Sequence, residues 1–135
     1  MMRIDARIPV LVVSGSGRAD DASPLPAADP RALLLLADEA APIPAGEWAA
    51  VRRVPADTAM ASNVHGSACS CCVGRPGLAV ALSELFRERA MGRLDLFRRV
   101  VLVVPAADTE AAASVLLRDP LVAGQFRPET PLLKN

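Results

Sequence analysis

The chain has 135 residues, and its 15 basic and 15 acidic side chains give a formal net charge of zero. A nucleic-acid-binding surface needs clustered Lys and Arg, so this balance, with Lys134 as the one lysine, argues against such a partner. Apolar residues make up 52% of the chain and aromatic residues only 3%. Val, Leu and Ala must therefore fill the core, and we expect a single domain over residues 1–135.

No part of the sequence approaches the roughly eighteen consecutive apolar residues that a membrane span requires. The first residues also lack the long apolar region and small-residue cleavage site of a secretory signal, because Asp5 and Pro9 interrupt them. We expect a cytoplasmic protein without a membrane partner. Thiols stay reduced in that compartment, which favours metal ligation over a structural disulfide.

Four short segments have the composition of strands. Residues 8–13 and 99–104 are continuous apolar runs rich in Val, which is typical of buried strands. The leucine run within 31–37 is bounded by a proline and an aspartate and is short for a helix, so it predicts a third strand. In 48–54, two valines flank two arginines, a pattern that suits a strand at the edge of a sheet.

Two helices are predicted in the second half of the chain. In residues 77–91, leucines and a phenylalanine recur at helical spacing, with charged residues on the other face. Pro76 suits the first helical position and Gly92 the end. Asp108 suits the cap of a second helix over 109–118, which an Asp-Pro pair ends.

Strands that alternate with helices predict an α/β fold, with a small, mostly parallel sheet of about four strands and helices packed on it. We expect residues 121–126 to add a helical turn and 128–135 to form a tail. Residues 18–30 contain three prolines and no helical pattern, so the first connection lacks a good helix. A sheet this small leaves an edge or a face for a partner to cover, and we expect self-association.

The most informative feature is a cluster of all three cysteines, Cys69, Cys71 and Cys72, in a C-x-C-C pattern just before the first predicted helix. Thiolates are preferred ligands of zinc and copper(I), and clustered cysteines indicate metal or redox chemistry. Arg75 and the start of that helix favour the thiolate form. His65 is the natural candidate for a fourth ligand because it lies close in the sequence.

Other interpretations of the cluster stay open. The cysteines can be buried, inert side chains, or they can serve thiol redox chemistry. Cys71 and Cys72 would point to opposite sides in a regular strand, so both reach one ion only if the loop curls. A site with two sulfurs and outside ligands is the alternative.

The motifs around the cysteines follow one another in a distinctive order. After C-x-C-C come Gly74-Arg75-Pro76-Gly77-Leu78, the helical sequence ALSELFRERAMG, the strand sequence RRVVLVV and Ala106-Ala107-Asp108. This order resembles the CobW-type family of P-loop GTPases, which act as zinc and cobalt metallochaperones. Residues 8–10 and 31–39 resemble the first two strands of that family.

The resemblance implies a reduced P-loop-GTPase-like domain with the metal motif at the three cysteines. It also implies that Glu39, at the end of the second strand, lies near the nucleotide and metal region, where it would be an oxygen ligand. The Gly15-Ser16-Gly17 turn would correspond to the phosphate loop, so Gly15 and Gly17 are candidate phosphate-binding residues.

The departures from the family concern the nucleotide site. The first loop has no lysine and carries Asp20 and Asp21, which repel phosphate. The strand RRVVLVV ends in Val104-Pro105 where the family has a carboxylate that works with magnesium. The guanine-reading N-K-x-D segment of the family has no counterpart within these residues.

We interpret the chain as a shortened, non-hydrolysing CobW-like protein that binds a thiophilic divalent ion, zinc first, for metal buffering or delivery. No catalytic residue is predicted, and GTP is not an expected cofactor. One alternative is a pseudo-GTPase interaction module that acts through dimerisation, with a second copy or a larger GTPase-like protein as partner. Two others are a residual GTP or phosphate binder and a thiol redox protein.

Overall fold

The computed structural model describes residues 6–14, 28–38, 46–54, 77–94 and 96–129. Five strands form one sheet in the order β3-β2-β4-β1-β5, and every neighbouring pair is parallel. The strands are β1 (Ile8–Ser14), β2 (Ala32–Leu36), β3 (Ala50–Arg53), β4 (Arg99–Val104) and β5 (Phe126–Pro128). The helices are α1 (Gly77–Ala90), α2 (Thr109–Arg118) and α3 (Pro120–Gln125). The predicted parallel α/β fold is confirmed.

One face of the sheet packs against all three described helices. Side chains alternate along a strand, so Val100 and Leu102 of β4 face the same side. Together with Leu33 of β2 they belong to one buried cluster with Leu82 of α1 and Leu116 of α2. The core on this side is built from aliphatic residues, as the low aromatic content predicts. Two of the three phenylalanines, Phe86 and Phe126, meet there edge to face, with ring centroids 6.0 Å apart.

The opposite face holds a second buried cluster. Leu34, Leu36, Val101 and Val103 point to this side and are at most 1% exposed. Trp48 packs against them, and its buried Nε1 has no hydrogen-bond acceptor among the described residues. Because β2 and β4 are buried on both faces, they read as continuous apolar runs rather than alternating ones. No described helix packs on this second face.

Helix α1 ends where the sequence predicts, and the cause is a glycine. Gly92 has a φ of 77°, in the left-handed region that glycine adopts without strain. Its N–H donates to the carbonyl of Arg89, and the N–H of Arg93 donates to the carbonyl of Glu88. These two bonds form a Schellman motif that satisfies the last carbonyls of the helix.

The caps of the next two helices differ from the prediction. Asp108 precedes α2, but its side chain makes no capping hydrogen bond. A short 3-10 turn (Ala106–Asp108) leads into the helix instead, and the Asp108 N–H donates to the carbonyl of Pro105. Asp119 is the real side-chain cap, because its Oδ1 accepts from the N–H groups of Leu121 and Val122 at the start of α3.

The last strand was not predicted. The expected helical turn over 121–126 is the helix α3, but Phe126 leaves it and starts β5. Pro128, assigned to a tail, pairs with Val10 at the outer edge of the sheet. The sheet therefore has five strands rather than about four. The four predicted strands are all present, and β3 with its two arginines is at the other edge, as expected. None of the helices in the described ranges has the length and hydropathy that a membrane crossing requires.

Candidate functional site

The carboxyl ends of β2, β4 and β1 lie side by side. Leu36 pairs with Val103, and Ser14 pairs with Val104. From β1 the chain continues to β2, towards the β3 edge of the sheet. From β4 it continues to β5, at the opposite edge. The boundary between β1 and β4 is therefore a topological switch point, and ligands of open α/β sheets bind outside the carboxyl ends of the strands at such a point.

Asp38 lies at this end of the sheet. It is 8% exposed and is the one buried charged residue in the described part of the chain. The N–H of Ala37 donates to the carbonyl of Val103 at 2.8 Å, which continues the pairing of β2 with β4 beyond Leu36. That bond fixes the backbone just before Asp38. Because ligands bind at such a switch point, the position of this buried carboxylate makes Asp38 a candidate functional group.

A second carboxylate is carried by the turn after β4. Asp108 belongs to the 3-10 turn that follows Val104 and Pro105, and it is partly buried. Its carboxylate accepts no hydrogen bond from the first N–H groups of α2, so it does not stabilise that helix as a cap. The sequence analysis assigned Asp108 to capping and included Asp38 only within residues 31–39, which resemble the second strand of the CobW-type family. The signal that sets Asp38 apart is its burial, which the sequence does not reveal.

The described residues that flank the cysteine segment lie at the same end of the sheet. The described chain stops at Val54, whose N–H donates to the carbonyl of Leu36 at the end of β2. It resumes at Gly77, the first residue of α1. Helix α1 connects β3 to the parallel strand β4 and must run back along the sheet, so it begins at the carboxyl end. Val54 and Gly77, the described residues on either side of 55–76, thus both lie at the end that holds Asp38.

The predicted site residues themselves lie outside the described residues. These are Gly15, Gly17, Glu39, His65, Cys69, Cys71 and Cys72. In the described ranges, no group of three or more His, Cys, Asp or Glu side chains is arranged to hold a metal ion. The cysteines lie outside these ranges, so metal binding at the C-x-C-C motif stays a prediction, as does phosphate binding at the first loop.

The described residues define a class of protein: a parallel α/β domain with a buried acid at the switch point of its sheet. Comparison with protein-family models, with curated proteins and with solved structures found no match to this chain. The resemblance to the CobW-type family therefore rests on the sequence motifs alone.

Proposed function

We propose that this protein binds a thiophilic divalent ion, zinc first, through Cys69, Cys71 and Cys72, and that it buffers or delivers the metal without performing chemistry on a substrate. The observation that carries the proposal is the C-x-C-C cluster between Val54 and Gly77, two residues that lie at the carboxyl end of a parallel sheet. Three thiolates leave one position of a tetrahedral zinc site for a fourth ligand. His65 is the first candidate, and Glu39 is a weaker one.

The charges at that end of the sheet support a cation as the ligand. Asp38 and Asp108 follow β2 and β4, and Asp20 and Asp21 follow β1 in the sequence. Carboxylates raise the local concentration of cations and lower that of phosphates. The cytoplasm, where thiols stay reduced and able to bind metal, is the compartment that this proposal requires.

The same end of the sheet argues against nucleotide hydrolysis. In the CobW-type family a carboxylate that works with magnesium ends the strand that corresponds to β4. Here that position is Val104, a fully buried apolar residue paired with Ser14 of β1. A valine cannot bind magnesium, and the first loop lacks the phosphate-neutralising lysine. We therefore propose that GTP is neither a substrate nor a cofactor.

A second candidate function is an interaction module that acts through dimerisation. The observation that favours it is the exposure of large apolar side chains in the described residues: Met91, Leu96, Leu117 and Leu121 are each more than half exposed. The strand edges are poor sites for sheet extension, because β3 exposes Arg52 and Arg53, and β5 is short and ends in Pro128. In this alternative a second copy contacts a face of the domain rather than an edge.

Zinc titration of cysteine variants tests the proposal. We expect Cys69→Ser with Cys71→Ser to abolish tight zinc binding, because a hydroxyl oxygen is a poor zinc donor. Ser67→Ala with Ser70→Ala is the matched control, since it changes two neighbouring residues of the same segment and leaves all thiols in place. Unchanged zinc stoichiometry in the cysteine variant would contradict the proposal. Loss of zinc binding in both variants would show that binding depends on the segment as a whole and not specifically on its thiolates.

A further inference from the structure

We draw no further inference here: the strongest candidate, the outer edge of β1 over residues 12–14, which β5 leaves without a paired strand among the described residues, carries no proposal because nothing in the structure shows what covers it.

Discussion

Arg99 and Glu129 form a bidentate salt bridge that crosses β1 and ties the last strand to the sheet. Nε of Arg99 lies 2.5 Å from Oε1 of Glu129, and Nη2 lies 2.9 Å from Oε2. Arg99 begins β4 and Glu129 follows β5, while β1 lies between these strands. The N–H of Glu129 also donates to the carbonyl of Val10 in β1. Glu129 therefore ties the three-residue strand β5 both to its neighbour β1 and to β4 beyond it.

This bridge should have a measurable coupling energy. We expect a double-mutant cycle with Arg99→Met and Glu129→Gln to give a coupling energy of about 1 kcal/mol, measured from free energies of unfolding. The reason is that the pair is bidentate and partly buried. The pair of Arg52 and Glu88 is the control, since it is longer, at 3.9 Å, and more exposed. Its cycle should give about 0.3 kcal/mol or less. Equal coupling in both cycles in urea unfolding would contradict the structural role of the bridge.

The pH dependence of the bridge follows from Arg99. The hydrogen bond that Arg99 donates to the Glu129 carboxylate raises the pKa of Arg99 above its ordinary value, against the opposing effect of burial. A group whose pKa is raised on folding stabilises the folded state below its unfolded pKa and loses that contribution as the pH rises. For an arginine this loss falls in strong alkali, so Arg99 itself keeps its charge throughout the neutral range.

The two aspartates at helix starts should differ in their effect on stability. Asp119→Ala removes a side chain that accepts from two N–H groups of α3 and should lower the free energy of unfolding by about 1 kcal/mol. Asp108→Ala removes a side chain that makes no capping bond and should cost no more than about 0.5 kcal/mol. Chemical denaturation of both variants measures the difference. A larger loss in Asp108→Ala would mean that the assignment of the caps is wrong.

The sequence predicted the strands and helices whose local pattern agrees with their tertiary role. The Val-rich run of β4 and the leucine spacing of α1 each indicate one type of element, and both are present. β5 could not be predicted because it is three residues long and contains Pro128. Its pairing depends on Ile8 and Val10 of β1, which are far away in the sequence. Long-range pairing of that kind leaves no local signature.

The candidate site could also be predicted from the sequence only in part. A C-x-C-C cluster is visible in the sequence because its chemistry resides in residue type and spacing. Asp38 was not singled out, since an aspartate after a leucine run also fits an exposed loop. Its importance comes from burial beside the end of β4, a property of the folded sheet.

Nucleotide hydrolysis should be absent. Phosphoryl transfer depends on positioned charge, and the chain has Val104 in place of the magnesium-associated carboxylate and no lysine in the first loop. We expect phosphate release from GTP with magnesium to equal that of a heat-denatured control. Turnover above that background would overturn the proposal that the domain does not hydrolyse GTP.

Self-association and its dependence on metal form a separate prediction. We expect the chain to form a dimer, because a second chain can complete a three-thiolate zinc site. Light scattering with and without zinc measures both effects. A strict monomer at high concentration in either condition would remove the prediction, and a dimer that is indifferent to chelator would separate association from metal.

The most direct test of the central claim is the absorption spectrum of the protein loaded with cobalt(II) in place of zinc. Thiolate ligands give an intense sulfur-to-cobalt charge-transfer band, so the spectrum reports the ligand type and not only the stoichiometry. We predict this band for the natural chain and its loss in Cys69→Ser with Cys71→Ser, while Ser67→Ala with Ser70→Ala keeps it. A natural chain that binds cobalt without the band, or a cysteine variant that retains it, would contradict metal ligation by the C-x-C-C cluster.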